Sequence, residues 1–318
     1  MSLGEFDLIA KYFTRPTPRA VLGVGDDCAL LQPAVGMQWA VSSDMLVEGR
    51  HFLSTVRPER LGHKALAVNL SDLAACGARP VAFTLALAMP RVDEVFLAGL
   101  AQGLFDLADV HGIELVGGDT TAGPLNLCIT VMGQVPAGQA LLRSGARPGD
   151  QLWISGRLGD ARLALEVFRG QVALAAPDFE AVRLAMECPE PRVALGLALR
   201  GLASSAIDVS DGLLGDLGHI LRRSRVGARL HLPALPRSAV LAAQPRPLQH
   251  ECLLRGGDDY ELLFTAPASR AAAVREAGAR AAVAVTPIGV VTAEPGLCAV
   301  DEDGREQVLP ARGFDHFA

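Results

Sequence analysis

Strand-length apolar runs alternate with helix-length apolar patterns along the first 135 residues, and this alternation constrains the fold more than any other feature. Residues 58–76 and 93–111 repeat apolar side chains at the spacing of largely buried helices. Strand patterns lie between and after them, at 81–89, 113–119 and 125–135. Alternating strands and helices are typical of an α/β domain, so we predict that class for the N-terminal half.

Three local patterns complete this half. Residues 5–13 have the pattern of a short amphipathic helix. The apolar runs 28–32 and 38–42 are separated by proline and glycine, which predicts a strand, a turn and a second strand. The glycines and aspartate at 117–119 predict that the strand beginning at 113 passes into a loop there.

The second half of the chain repeats the mixture of helix and strand patterns. The predicted helices lie at 178–187, 191–200 and 212–224, and the predicted strands at 151–155, 205–209, 228–232, 261–266 and 283–291. A chain of 318 residues is long for a single core, and the Gly-, Pro- and Ala-rich stretch 136–150 indicates a junction. We therefore predict an N-terminal domain over 1–138 and a C-terminal α/β domain over 139–318.

Composition and charge argue against several classes of protein. The net charge of −6 disfavours nucleic-acid binding, because nonspecific affinity comes from basic groups that meet phosphates. The six cysteines form no CxxC pair, which disfavours a zinc site or a disulfide scaffold. The start of the chain lacks a signal-peptide pattern, and no apolar run approaches the roughly 18 residues of a spanning helix. We expect a cytoplasmic protein that binds neither nucleic acid nor membranes.

Six segments place carboxylates among glycine or serine residues, and most of them follow an apolar run. They are VGDDCAL (24–30), SSDMLVEGRHF (42–52), NLSDLAACGARP (69–80), LVGGDTTAGP (115–124), IDVSDGLLGDL (207–217) and RGGDDYELLF (255–264). Any one of them has the composition of an ordinary turn or helix N-cap. The repeated choice of aspartate favours a shared function instead. We expect the segments to converge at the rim where strands of an α/β sheet end.

Converging carboxylates require cations. Two unit charges about 4 Å apart repel by about 4 kcal/mol at an effective dielectric constant near 20. Divalent ions remove this repulsion, and carboxylate and hydroxyl oxygens are the ligands that Mg²⁺ prefers. Bound ions then attract phosphate groups, which is the arrangement that phosphoryl transfer needs. The chain contains no GxxxxGK motif, GxSxG or HExxH, so a nucleotide would be bound through metal rather than a P-loop lysine.

The ordered motifs GDDCA, SDMLVEGRHF, KALAVNLSDLAACGARP, GGDTTAGP, RSGARPGD, DVSDGL and GGDDYEL resemble those of the thiamine-monophosphate kinases. That family belongs to the superfamily of aminoimidazole ribonucleotide synthetase, and the resemblance covers essentially the whole chain. It implies a two-domain synthetase-like fold of the α/β (α+β) class. The N-terminal domain would bind ATP and metal and pair its sheet across a homodimer, and the C-terminal domain would complete the substrate site.

The resemblance also implies an activity and its residues. The expected reaction transfers the γ-phosphoryl group of ATP to thiamine monophosphate with several Mg²⁺ ions, and gives thiamine diphosphate and ADP. Four aspartates are expected to be catalytic: Asp44, Asp72, Asp119 and Asp208. Metal ligands are expected at Asp27, Ser42, Ser43, Asp44, Asp72, Asp119, Asp208 and Asp211. ATP contacts are expected at Gly118, Asp119, Arg143 and Ser210, and contacts to thiamine phosphate at His51, Glu261 and Phe314.

Two other functions are compatible with the same motifs. Another ATP-dependent synthetase of the superfamily would share the metal-binding segments, although VEGRHF and GGDDYEL favour the kinase. A non-catalytic cation- or nucleotide-binding module is the alternative from a different class, although such a module need not retain all six segments. The resemblance does not identify the adenine contacts, because residues 101–103 contain no aromatic side chain.

Overall fold

The computed structural model of the chain describes residues 4–25, 27–301 and 303–310. The chain forms two compact units. Unit 1 comprises residues 1–73 and 78–138, and unit 2 comprises residues 74–77 and 139–318. Within the described ranges, no helix combines the length and apolar character needed to cross a membrane.

Unit 1 is built on a four-stranded sheet with the order β1-β4-β2-β3. The strands are β1 (Met37–Val47), β2 (Arg79–Met89), β3 (Glu114–Ala122) and β4 (Asn126–Pro136). β4 is antiparallel to both of its neighbours, and β2 is parallel to β3. β1 and β3 are therefore the two edge strands of this sheet.

Two long helices and a short N-terminal helical segment accompany this sheet. They are α1 (Glu5–Leu8), which continues as a π-helical turn (Ile9–Phe13), α2 (Pro58–Ala75) and α3 (Glu94–His111). Asp93 is the N-cap of α3, and its carboxylate accepts from the backbone N–H groups of residues 95 and 96. The helix ends at Gly112, which has the left-handed conformation typical of a helix C-terminus. Both signals were present in the sequence, and the predicted helix at 93–111 is confirmed.

Glycines allow α2 and α3 to pack closely. A Cβ atom at Gly62 would overlap the carbonyl group of Leu100, and one at Gly103 would overlap the carbonyl group of Glu59. Because both obstacles are backbone atoms, neither can move aside as a flexible side chain would. The apolar side chains of both helices are buried beside them, including Leu66, Leu70 and Leu97. The two helices are thus in direct backbone contact at these glycines.

Unit 2 contains a seven-stranded mixed sheet with the order β11-β10-β7-β9-β5-β8-β6. Its strands are β5 (Asp150–Ser155), β6 (Ser205–Asp208), β7 (Gly227–His231), β8 (Leu262–Pro267), β9 (Val285–Thr292), β10 (Gly296–Val300) and β11 (Glu306–Val308). The helices are α4 (Asp160–Phe168), α5 (Ala176–Glu187), α6 (Val193–Leu199), α7 (Leu213–Ser224), α8 (Ala239–Ala242), α9 (Arg246–Arg255) and α10 (Ala271–Arg280). A cluster of buried aliphatic side chains, including Ile154, Leu217 and Leu263, fills its interior.

The mixture of helices and mixed sheets confirms the predicted α/β (α+β) class. Two local predictions were wrong. Residues 28–32 form no strand, and only an isolated bridge joins Leu22 to Leu30. Residues 117–119 do not leave the sheet as a loop, because β3 continues through them to Ala122. A glycine pair in a sequence predicts a turn, but here the neighbouring strand β2 supplies the hydrogen bonds that keep the pair extended.

Candidate functional site

The first group of predicted site residues lies where β1 meets α2 in unit 1. Ser42 and Asp44 are alternate residues of β1, so their side chains lie on the same face of the strand. The Ser42 hydroxyl donates to Asp72 Oδ2 on α2 at 2.5 Å. The structure therefore brings Ser42 and Asp72 into contact, with Asp44 one pleat away.

Asn69 fixes this geometry, and the sequence interpretation gave it no role. Its side-chain oxygen accepts from the backbone N–H of Asp44 at 3.0 Å, and its amide donates to the carbonyl of Ala65 at 3.0 Å. The side chain is fully buried. A buried polar group of this kind is costly unless it is hydrogen-bonded. The bond to Ala65 holds the side chain against its own helix, and the bond from Asp44 joins β1 to α2. The sequence did point to Asn69, because it lies in the motif NLSDL close to Ser71 and Asp72.

Ser43 and His51 occupy different environments from that group. The Ser43 hydroxyl lies on the other face of β1, where it is 2.9 Å from Thr130 Oγ1 on β4 and donates to the carbonyl of Ile129 at 3.2 Å. His51 follows β1, and its Nδ1 atom accepts from the backbone N–H of Val47 at 3.0 Å. The chain therefore turns back at 47–51 and holds the imidazole close to the end of the strand.

Asp119 lies at the opposite edge of the same sheet from Asp44. Asp44 pairs with Ile129, Ile129 with Leu85, and Leu85 with Gly118, the neighbour of Asp119. Three strand spacings of about 4.8 Å separate the two edges, which is roughly 14 Å along the sheet. The expectation that these carboxylates share the rim at which strands end was wrong for unit 1. Ser42–Asp44 and Asp119 lie within strands, and Asp72 lies within a helix.

A cavity of about 570 Å³ adjoins the β3 edge of unit 1. Asp27, Gly118 and Asp119 line it, together with residues of the N-terminal helical segment. Gly118 has a positive φ of 150°, and a Cβ atom there would overlap the carbonyl group of Leu85. Only glycine fits at this position, because a Cβ atom would meet the backbone of the neighbouring strand β2.

The second group of predicted site residues lies in unit 2, where β6 runs into α7. Asp208 is the last residue of β6, and Ser210 and Asp211 occupy the connection before Leu213. This is the predicted arrangement of carboxylates at a strand end. The segment 256–261 lies beside it, because the Asp258 N–H donates to the Ser210 carbonyl at 2.8 Å. Two non-glycine residues of that segment, Asp258 and Tyr260, have positive φ, which is a form of strain that clusters at functional sites.

Asp216 joins this group from the first turn of α7, and the sequence interpretation gave it no role. Its carboxylate accepts from the backbone N–H of Asp211 at 3.1 Å. Burial and, to a smaller extent, the nearby charges of Asp208 and Asp211 raise its pKa to about 8, while the bond from the Asp211 N–H and the charge of Arg143 act in the opposite direction. The structure therefore places Asp216 close enough to Asp208, Asp211 and Arg143 for their charges to interact. The sequence signal for Asp216 was the third aspartate of DVSDGLLGDL.

Glu261 is held by a buried ion pair. Arg192 Nε donates to Glu261 Oε2 at 2.7 Å, and Arg192 Nη2 donates to Oε1 at 2.6 Å. The Ser155 hydroxyl donates to Oε2 at 2.5 Å. Because a carboxylate offers about four acceptor positions, these three bonds leave one position, on Oε1, for a further donor. Phe314, the remaining predicted substrate contact, lies outside the described residues.

Within the described residues, no three His, Cys, Asp or Glu side chains lie close enough together to hold one ion among themselves. The described carboxylates are therefore too widely spaced to surround one ion without other ligands. Mg²⁺ is commonly bound by only one or two carboxylates, with water and substrate phosphates completing an octahedron. The distribution thus suits an ion that is completed by a phosphorylated ligand better than a site made from protein alone.

Comparison with known proteins gives the same two-part division. Residues 25–135 match the family described as AIR synthase related protein, N-terminal domain, and residues 147–301 match its C-terminal domain. The thiamine-monophosphate kinase of Escherichia coli K12 is 46% identical and covers 100% of this chain and 99% of the relative. The matched length therefore includes every segment discussed above.

Solved structures show the same similarity in three dimensions. The crystal structure of thiamine-monophosphate kinase from Stenotrophomonas maltophilia K279a is 46% identical, with a TM-score of 0.85 over 94% of this chain and 95% of that chain. AaThiL complexed with AMPPCP and TMP is 29% identical, with a TM-score of 0.77 over 90% of this chain and 89% of that chain. The predicted synthetase-like fold is therefore confirmed. This chain belongs to the thiamine-monophosphate kinase family, within the AIR synthase related proteins.

Proposed function

We propose that this protein transfers the γ-phosphoryl group of ATP to thiamine monophosphate, giving thiamine diphosphate and ADP. The observation that carries the proposal is the 46% identity to a thiamine-monophosphate kinase over the full length of the chain. The structural likeness to AaThiL, which was solved with AMPPCP and TMP, supports ATP as the phosphoryl donor and thiamine monophosphate as the acceptor.

We propose that Mg²⁺ ions accompany the nucleotide. The all-oxygen donor set suits this hard cation, and the spacing of the carboxylates leaves coordination positions for phosphate oxygens. The proposed ligands are Asp27, Ser42, Ser43, Asp44, Asp72, Asp119, Asp208 and Asp211. When bound, such ions neutralise the charge that spreads over the phosphoryl oxygens during transfer.

The protein's own part in this reaction is positioning. The acceptor phosphate of thiamine monophosphate is already anionic, so transfer needs no strong general base and no covalent enzyme intermediate. The buried Asn69 holds Asp44 against α2, and Gly118 lets β3 lie close to β2 where the two strands border the cavity. We assign Asp44, Asp72, Asp119 and Asp208 as the catalytic carboxylates.

The proposed substrate contacts divide between the two ligands. Gly118, Asp119, Arg143 and Ser210 are assigned to ATP. A guanidinium group such as that of Arg143 can donate two parallel hydrogen bonds to a phosphate. His51, Glu261 and Phe314 are assigned to thiamine phosphate. The charge of Glu261 is already balanced by Arg192, so we expect it to accept one hydrogen bond from the substrate rather than to act as a free counter-ion.

We propose that the enzyme is a homodimer formed through the sheet of unit 1. Asp44 and Asp119 lie on its opposite edges, and β1 carries the exposed apolar side chains Val41 and Met45, which are 62% and 54% exposed. Exposed edge strands are templates for pairing with another chain. If β1 of one copy pairs with β3 of a second copy, Asp44 of the first copy lies beside Asp119 of the second. The compartment that we propose for this ATP-consuming enzyme is the cytoplasm.

A product assay tests the activity. Purified protein, ATP and Mg²⁺ are incubated with thiamine monophosphate, with free thiamine or with an aminoimidazole precursor, and the products are separated and identified. We expect ADP and thiamine diphosphate in equal amounts with thiamine monophosphate alone. Product from the aminoimidazole precursor would indicate a synthetase instead. ATP binding without any product would indicate a binding module.

A further inference from the structure

The carboxylate of Glu261 is enclosed by groups of unit 2 to which the proposed function gives no role. Arg192, on the segment between α5 and α6, donates to both carboxylate oxygens, and Ser155, the last residue of β5, donates to Oε2. The side chain of Glu261 is only 7% exposed. These neighbours, rather than water, therefore determine how the carboxylate is oriented.

The two donors are themselves held in place. The Ser155 hydroxyl accepts from the backbone N–H of Leu262 at 2.8 Å and donates its one hydrogen to Glu261. On the far side of the guanidinium, Arg192 Nη1 donates to Glu190 at 2.7 Å. Both donors thus have a second partner that restricts their own movement.

The guanidinium fixes the plane of the carboxylate. The terminal torsion of a glutamate side chain has broad preferences, so a single hydrogen bond would leave the carboxylate able to rotate. Nε and Nη2 of Arg192 meet Oε2 and Oε1 of Glu261 at 2.7 and 2.6 Å. This parallel pair of bonds is available to a guanidinium and not to an ammonium group. The unfilled acceptor position on Oε1 therefore has a defined direction, away from Arg192.

Gly156 is needed for this orientation of the carboxylate. It directly follows Ser155 and has a φ of 52°, which favours glycine. A Cβ atom at this position would overlap the carboxylate of Glu261, with Oε1 as the nearest atom. A larger residue would therefore displace the carboxylate from the orientation that Arg192 gives it.

We propose that Arg192 is a positioning residue for phosphoryl transfer to thiamine monophosphate. It orients Glu261 so that Oε1 accepts one hydrogen bond from the substrate, and it neutralises the carboxylate so that this bond, rather than net charge, selects the ligand. The pyrimidine amino group carries the only N–H bonds of thiamine monophosphate, so it is the donor to Oε1. The inference rests on the proposed function, which assigns Glu261 to this substrate, and adds the group that Glu261 recognises.

Arg192→Lys separates orientation from charge. Lysine retains a cation beside Glu261 but offers no parallel pair of bonds. The recognised amino group is remote from the transferred phosphoryl group, so the loss should appear in binding rather than in the chemical step. We expect KM for thiamine monophosphate to rise by roughly tenfold, with kcat and KM for ATP within about twofold of the wild type. Steady-state assays that vary each substrate measure these constants.

Arg183→Lys is the matched control. Arg183 Nε donates to Glu187 at 2.8 Å, in an ion pair of similar burial within α5. The proposed function gives neither residue a role, so KM for thiamine monophosphate should not change. Arg192→Met also removes the cation, and thermal melts should show that it lowers the melting temperature as Arg183→Met does, because each leaves a buried carboxylate unpaired. Of these two methionine variants, only Arg192→Met should raise KM.

Oxythiamine monophosphate, in which an oxygen replaces the amino group, tests which group is recognised. The wild type should prefer thiamine monophosphate by at least about tenfold in kcat/KM, because the analogue presents an oxygen to the carboxylate. In Arg192→Lys this preference should fall toward equality, since the direction of the acceptor position is no longer fixed.

Three results would overturn the inference. Arg192→Lys could leave KM for thiamine monophosphate unchanged, it could lower kcat alone, or the wild type could use both acceptors equally well. The first result reduces Arg192 to a structural role, the second places its effect on the phosphoryl group, and the third removes the amino group from recognition. A wild-type protein that formed no thiamine diphosphate would be a separate result, because it would reject the proposed function itself.

Discussion

Asn69 shows how one buried side chain can determine the position of a site residue. Its hydrogen bond is to the backbone of Asp44 rather than to the carboxylate. The backbone position of Asp44 is thus fixed to α2 by a bond that does not involve its carboxylate. Changes at the carboxylate of Asp44 should therefore affect activity far more than folding.

Replacing Asp44 by Asn should lower kcat by at least about a hundredfold, because neutralisation of phosphoryl charge by metal is worth several kcal/mol. The melting temperature should remain close to that of the wild type, since the bond from Asn69 to the backbone is retained. Steady-state assays and thermal melts measure the two effects. Asp109→Asn on α3 is the control and should retain full activity. A fully active Asp44→Asn variant would remove this residue from the metal site.

Asp216→Asn should change how stability depends on pH. The folded state raises the pKa of Asp216 from 3.8 to about 8, so between these values the folded protein holds a proton that the unfolded chain releases. The free energy of unfolding should therefore fall as pH rises from 4 to 8, by up to about 1.4 kcal/mol per pH unit for this group.

The asparagine variant lacks this titration and keeps an acceptor for the Asp211 N–H. Thermal melts from pH 5 to 9 in EDTA, which removes divalent ions, should show the variant gaining stability over the wild type as pH rises. Parallel curves for the two proteins would show that Asp216 is ionised throughout the range.

At the level of elements, the contact between α2 and α3 depends on glycines whose neighbours are backbone atoms. Periodicity predicted both helices but not their distance from each other, because glycine in a helix is compatible with many environments. Asp93 and Gly112 predicted the ends of α3 correctly because helix caps are local interactions. The continuation of β3 through Gly118 was not predicted, since it depends on pairing with β2.

Gly103→Ala should destabilise the protein although alanine is the better helix former. The new methyl group would overlap the Glu59 carbonyl and push the helices apart, at a cost of roughly 1–3 kcal/mol from overpacking. Gln102→Ala, at the adjacent exposed position, should leave the melting temperature nearly unchanged. A Gly103→Ala protein that melted at or above the wild-type temperature would show that α2 and α3 are not closely packed at this point.

For the whole molecule, the positions of Asp44 and Asp119 on opposite sheet edges predict that two copies share each site. An equal mixture of refolded Asp44→Asn and Asp119→Asn chains should regain activity. A mixed dimer then has one site with both substitutions and one with neither, so random pairing restores about a quarter of the wild-type rate.

Each variant alone should remain inactive, and light scattering should give the mass of a dimer. Mixing Asp44→Asn with Asp72→Asn is the control and should restore nothing, because the Ser42 bond to Asp72 places these two residues in the same site of one chain. If the mixture of Asp44→Asn with Asp119→Asn stayed as inactive as this control, Asp44 and Asp119 would belong to one site within a single chain.

The sequence by itself determined the elements and the chemical character of the site. Apolar periodicity, caps and repeated aspartate segments are local properties, so helices such as 93–111 and the acidic character of the candidate site could be predicted from them. The tertiary structure decided which of these residues are neighbours. Asn69 and Asp216 acquired their contacts with predicted site residues from strand register and helix packing, which join separate elements and leave no periodic signal.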